Sequence, residues 1–234
     1  MGALRGEVAS IADLLADFGT PGHPSPADAL QIIGLRFDLL MAACEFVAST
    51  SEEDRALVRA QPAEAFVRFV RASHHTLFVD LLRNAGDFRA HADAGGSGVV
   101  FGGQSPRELR PNFHGAAPEL IEPELLDAFA VLAGFDDPVR SSILSYQRFQ
   151  QVHPFYDANG RIGRLFVTLY LAAHGLYPQW ALLDQHHGRF VQYLNHVHKR
   201  ALNDPSRVAH EDHLVRFWRK HVLDLDDFYR EEVE

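Results

Sequence analysis

Between Asp136 and Pro178 the residues permit little except two helices joined by a tight loop. Asp137 is a strong N-cap, and Pro138 suits the first helical position, where its missing N–H costs nothing. The helix opened there runs to about Val152. Pro154 disfavours the α conformation in the residue before it, which places His153 at the helix exit. A second helix begins at Asn159-Gly160, repeats apolar residues at Ile162, Leu165, Phe166, Leu169 and Ala173, and stops at Gly175 with Pro178 beyond. Residues 153–158 must therefore reverse the chain between the two helices.

The rest of the chain is also predominantly helical in pattern. Leu35, Leu39, Ala42, Ala43 and Phe46 share one helical face, as do Phe66, Phe69 and Val70. A first helix near Leu4 to Phe18 ends at the breaker cluster Gly19-Thr20-Pro21-Gly22. The exception is Ala85 to Ala117, rich in glycine and without helical period, where Gly98-Val99-Val100-Phe101-Gly102 suggests a short strand in a surface loop with a small β-hairpin. The expected fold is all-α with that hairpin. It divides into an N-terminal helical arm or partner-docking helix (1–25), a helical extension (26–62), a main domain (63–225) and a C-terminal tail (226–234). With 234 residues and 47% hydrophobic content, the chain can bury a sizeable core as one domain with small extensions.

Composition removes several function classes. A formal charge of −9 argues against a nucleic-acid binder, whose footprint is a basic patch. The longest apolar stretch, Ala29 to Ala48, is broken by Arg36, Asp38 and Glu45 and does not read as a membrane span. The one cysteine, Cys44, has no disulfide partner, and no leader pattern opens at Met1. A cytoplasmic protein is expected, with a secreted effector as the alternative. Self-association is left open. Lysine occurs only at Lys199 and Lys220, neither in a phosphate-loop setting, so arginine and backbone must do any ATP binding. The histidines at 74–75, 186–187, 196, 198, 210 and 213 do not form a His-Glu-x-x-His pair, and Ser97 lacks the second glycine of a nucleophile elbow. Gly95-Gly96 and Gly102-Gly103 read as turns.

The loop and the second helix carry the chemistry. Arg161 and Arg164, three residues apart, lie on nearly the same side of the first helical turn. Two cations at a helix N-terminus oppose its dipole, whereas the free N–H groups there attract anions, so a bound anion would complete the arrangement. Gly160 lets the backbone approach closely, and two guanidinium forks can grip phosphate oxygens. Asp157 offers one of the one or two carboxylates that Mg²⁺ takes beside phosphate oxygens. His153 offers a base suited to neutral pH.

The run His153-Pro154-Phe155-Tyr156-Asp157-Ala158-Asn159-Gly160-Arg161-Ile162-Gly163-Arg164 resembles the signature of the Fic family. Weaker similarity extends from Ala63 to His221. It includes Arg71 to Asp80 and Ala85-Gly86-Asp87-Phe88-Arg89, which are similar to the family's Ile-His-x-x-Leu-Phe and Ala-Gly-x-x-Arg segments. The resemblance implies a Fic-type helical domain with His153 as base, Phe155 anchoring the loop and Asp157 on Mg²⁺. It also implies Asn159, Gly160, Arg161, Gly163 and Arg164 as nucleotide-binding positions. The implied activity is transfer of AMP from Mg·ATP to a Ser, Thr or Tyr hydroxyl of a target protein, held as a strand against a hairpin flap within Gly98 to Ala116. Doc-like relatives, which phosphorylate, carry lysine in place of Gly160 and lack the second arginine. Transfer of UMP, phosphate or phosphocholine, a non-catalytic nucleotide- or partner-binding regulator, or a toxin held by an antitoxin, are the alternatives. The family's inhibitory pattern Ser/Thr-x-x-x-Glu-Gly/Asn is not intact, since Ser49 and Glu53 are followed by Asp54, and a separate inhibitory partner is the first expectation for control.

Overall fold

In this computed structural model, which describes residues 11–90, 100–101 and 113–225, one buried helix is packed chiefly by four others, the second, third, fourth and sixth of the chain. That helix is α7 (Asn159–Ala173). The earlier helices are α1 (Ile11–Phe18), α2 (Pro26–Phe46), α3 (Glu52–Arg59), α4 (Ala63–Phe78), α5 (Ile121–Ala130) and α6 (Pro138–Val152). After it come α8 (Trp180–Gln185), α9 (His187–His198) and α10 (Arg207–Arg219). The expected hairpin is present as β1 (Val100–Phe101) and β2 (Phe113–His114), antiparallel with Phe101 opposite Phe113. A second antiparallel pair, β3 (Leu176–Pro178) with β4 (Val222–Asp224), has no counterpart in the sequence reading. The remainder of the hairpin region, with Ser97 and the two glycine pairs, lies outside the described residues.

Local chemistry explains the two helices that matter most. Asp137 caps α6, accepting from the N–H groups of Val139 at 3.1 Å and Arg140 at 3.2 Å, and Pro138 takes the first helical position as expected. In α7, Ile162, Leu165, Phe166 and Ala173 are fully buried, and so are Val167, Thr168 and Leu171 on other faces. A helix apolar on nearly every side belongs in the interior. Phe166 meets Phe129 edge-on at 5.1 Å and Phe149 at 5.3 Å, which ties α5, α6 and α7 together. Truncating such a phenylalanine to alanine costs about 3–5 kcal/mol.

Packing decides two points that the helical pattern left open. On α2 the face Leu35, Leu39, Phe46 points outward, with 66, 73 and 67% exposure, while Ile33, Phe37, Leu40, Met41 and Cys44 pack inward. The segment expected as an arm packs on the body from Ile11 onward. Leu14 and Leu15 are buried, Arg83 donates its N–H to Phe18 O at 2.8 Å, and Gly19 bridges to Leu82. Burial pushes the Cys44 thiol up to about 12, so it is an inert core group.

Candidate active site

Residues 153–158 turn the chain between two left-handed residues, His153 at φ 51° and Ala158 at φ 62°. A non-glycine residue in that region costs about 1–2 kcal/mol, so other contacts must hold the turn. Asn159 supplies two of them. Its Oδ1 accepts from the Phe155 N–H at 3.0 Å, and its Nδ2 donates to the Phe155 carbonyl at 2.8 Å. The Phe155 ring, fully buried, stacks on His74 at 4.1 Å and lies 5.5 Å from Phe88. The His74 Nδ1 accepts from the Gly86 N–H at 2.9 Å, which fixes the imidazole proton on Nε2, and burial lowers its pKa to about 3. Tyr156 stacks on Phe18 at 5.3 Å, so α1 also braces the loop.

The start of α7 is open to a ligand. The Ile162 N–H bonds back to Ala158 O at 2.8 Å, while the N–H groups of Asn159, Gly160 and Arg161 have no acceptor among the described residues. A Cβ on Gly160 would meet nothing within 4 Å. These three donors and the helix dipole favour an anion here. Both arginines of the first turn already face a carboxylate. Arg161 lies 3.8 Å from Asp157, and Arg164 makes a two-pronged pair with Asp184 of α8, one prong at 3.0 Å, with its guanidinium 5.1 Å over the Trp180 ring. Burial works to lower the Arg164 pKa, but the hydrogen bonds and charge of Asp184 raise it above the ordinary value, so it remains a cation. Asp184 is held below the carboxylate range mainly by its hydrogen bonds to Arg164.

His153 is 8% exposed, and its N–H bonds to Phe149 O at 3.0 Å. Burial first, and the nearby Arg89 charge second, lower its pKa to about 4, against a backbone hydrogen bond at Gln150 that raises it. At neutral pH the imidazole is therefore uncharged and able to accept a proton. A proton on His153 would in turn disfavour one on buried His198 of α9, whose own pKa is lowered to about 3 first by burial and then by Arg207. The His198 ring lies 5.2 Å from Phe113 of β2 and is hydrogen-bonded to Gln147 at 2.9 Å.

The structure thus gathers His153, Asp157, Gly160, Arg161 and Arg164 around one helix start. Two other expected nucleotide positions have structural contacts of their own. The Asn159 side chain is occupied with Phe155, leaving only its N–H to face a ligand. Gly163 faces α6, where a Cβ would come within 2.6 Å of the Tyr146 ring and 2.8 Å of Gln150 Nε2, so close helix packing requires it. Arg89, Trp180, Asp184 and His198 were not singled out from sequence as site residues, although Arg89 lay in a noted segment and His198 among the histidines weighed for a metal. Asp157, with 21% side-chain exposure, suits Mg²⁺ as one carboxylate, and no group of three His, Cys, Asp or Glu among the described residues could hold a metal alone. Phosphate oxygens would have to complete that coordination. Glu53 is exposed on α3 at the far end of α7, where Arg59 donates to Ala173 O at 2.5 Å, about 20 Å along the helix from Gly160.

The sequence model of the Fic/DOC family matches residues 67–171. No curated protein matches. Among solved structures, the N-terminal Fic domain of a cell filamentation protein, a VirB-translocated Bep effector from Bartonella quintana, is similar at 15% identity and a TM-score of 0.54, over 92% of this chain and 91% of that one. A Bartonella quintana domain of the same description with bound ADP gives 18% and 0.53, over 88% and 90%. A Fic family protein from Desulfovibrio desulfuricans gives 18% and 0.51, over 90% of this chain but 57% of that protein, so this chain spans little more than half its length. These likenesses establish the fold. No described helix is long and apolar enough to cross a membrane.

Proposed function

Since residues 67–171 form a domain of the Fic/DOC family, we propose that this chain is a protein adenylyltransferase, moving AMP from Mg·ATP to a side-chain hydroxyl of another protein. The observation that carries this reading is a buried, uncharged His153 beside a helix start with three free N–H groups and two arginines. The ADP bound to the Bartonella quintana domain is in keeping with a nucleotide at this place.

In the proposed reaction His153 takes the proton of the target hydroxyl, whose oxygen attacks the α-phosphorus. The bond from that phosphorus to the bridging oxygen breaks, and pyrophosphate leaves. Arg161, Arg164 and the N–H groups of residues 159–161 receive the charge that grows on the leaving oxygens. Mg²⁺, held by Asp157 together with phosphate oxygens, would neutralise part of that charge. To bind, the polyphosphate takes the place of the Asp157 and Asp184 carboxylates at the two arginines. Gly160 and Arg164 together favour AMP transfer over phosphoryl transfer. The target strand would lie along β1 and β2, whose Phe113 stands beside His198.

Incubating the chain with a cell lysate and ATP labelled at either the α- or the γ-phosphate tests the reading. Label on protein from the α position and none from the γ position supports it; the reverse makes the enzyme a kinase. Failure of both labels to transfer would remove the activity.

A further inference from the structure

Arg89 ends the Ala85-Gly86-Asp87-Phe88-Arg89 segment, and the proposed reaction gives it no part. Its side chain is 1% exposed and reaches the exit of α6. The Nε donates to the His153 carbonyl at 2.7 Å, and Nη2 donates to the carbonyls of Val152 at 3.2 Å and Ala116. Its own N–H donates to Pro154 O at 3.0 Å. One residue therefore holds three consecutive carbonyls, 152, 153 and 154, at the point where the backbone turns left-handed. A cation at a helix C-terminus is favoured by the helix dipole as well.

The fourth contact gives this clamp a second function. Ala116 lies two residues beyond β2, and its N–H donates to Val152 O at 3.0 Å while its carbonyl takes the Arg89 fork. Gly115, between them, runs so close that an added Cβ would sit 2.7 Å from Arg89 Nη2, 3.0 Å from Val152 O and 3.1 Å from the His153 Cβ. The base, the clamp and the segment behind the hairpin touch within one residue's width.

We propose that Arg89 is a positioning residue that locks the His153 backbone to the segment leaving the hairpin, so that the seat of the target and the base keep a fixed spacing. The inference rests on the reading of His153 as the base. It assigns Arg89 no contact with nucleotide, so ATP affinity and transfer rate must separate when the clamp is loosened. A fork holding several carbonyls cannot be replaced by a single ammonium.

The test uses the full chain carrying Arg89→Lys, which keeps charge and loses the fork, and Gly115→Ala, which crowds the same place without removing a functional group. Circular dichroism confirms folding, calorimetry gives ATP affinity, and the α-label assay gives transfer. In parallel, NMR of labelled histidines follows the His153 ring, whose charged or titratable neighbours among the described residues include Arg89 and His198. Expected are ATP affinities within about twofold of the parent, transfer lower by about 10–100-fold, and a displaced His153 ring signal in both variants. Should Arg89→Lys not fold, Gly115→Ala decides alone. Folded variants that transfer within about threefold of the parent, or that lose ATP affinity in step with transfer, would overturn the proposal. If the parent itself transfers no label, the NMR arm still decides: an unmoved His153 ring refutes the clamp, whereas a moved ring leaves only the adenylyltransferase reading at fault.

Discussion

Replacing Asn159 by alanine separates two roles that a polar residue at a helix start can play. The side chain is 4% exposed, and both its polar atoms are spent on the Phe155 backbone, at 3.0 and 2.8 Å. Removing it strands a buried N–H and a buried carbonyl. Each orphan costs about 1–3 kcal/mol, so the loss should be roughly 2–6 kcal/mol, a large share of the 5–15 kcal/mol a domain of this kind usually has. At about 2–4 °C per kcal/mol, the melting temperature should fall by roughly 4–24 °C. The helix-start N–H groups, Arg161 and Arg164 remain, so ATP affinity should change by less than about threefold, while transfer falls because the loop that presents His153 loosens. Thermal melts, calorimetry and the α-label assay on one preparation supply all three numbers. An unchanged melting temperature together with a tenfold or greater loss of ATP affinity (about 1.4 kcal/mol) would show that Asn159 is a phosphate ligand and that the loop needs no such clamp.

Asp184→Asn removes the carboxylate that faces Arg164 in a pair whose side chains are 25 and 50% exposed. Such a pair contributes about 0–1 kcal/mol, so calorimetry should show ATP affinity unchanged or up to about fivefold tighter, and a tenfold loss would mean that Asp184 instead orients Arg164 for the phosphates. Acid should weaken the fold through its buried histidines. His74, His153 and His198 have folded pKa values of about 3, 4 and 3 against an ordinary 6.5, so below 6.5 the unfolded chain binds more protons, and stability is lost as pH falls from there towards 3. Near pH 5 these three groups give a slope of roughly 4 kcal/mol per pH unit, read from urea midpoints, and a midpoint constant from pH 7 to 5 would contradict the buried neutral assignments.

What the sequence made legible was local. The limits of α6 and α7 follow from Asp137, Pro138, Pro154 and Gly175, each of which acts through its own backbone or its immediate neighbours. The burial of Phe155 was legible as well. The inward face of α2 was not, because the helix is apolar on several sides, and only its packing against α7 selects Ile33 and Cys44 over Leu35 and Leu39. Three-residue strands such as Val222–Asp224 carry too little pattern to announce a partner far away in the chain. Asp184 belongs to an ordinary helical segment, and its link to Arg164 exists only once α8 folds back across the start of α7. Asn159 was expected as a ligand from the resemblance of its run to the Fic signature. The structure shows the loop before it making the prior demand.

The most direct measurement on the mechanism is His153→Ala, taken through ATP calorimetry and the α-label assay together. The substitution leaves Asp157, Arg161, Arg164 and the free N–H groups in place, so ATP affinity should stay near the parent value while transfer falls by about 10²–10⁴-fold. A folded His153→Ala chain that still transferred AMP at close to the parent rate would contradict the assignment of His153 as the base.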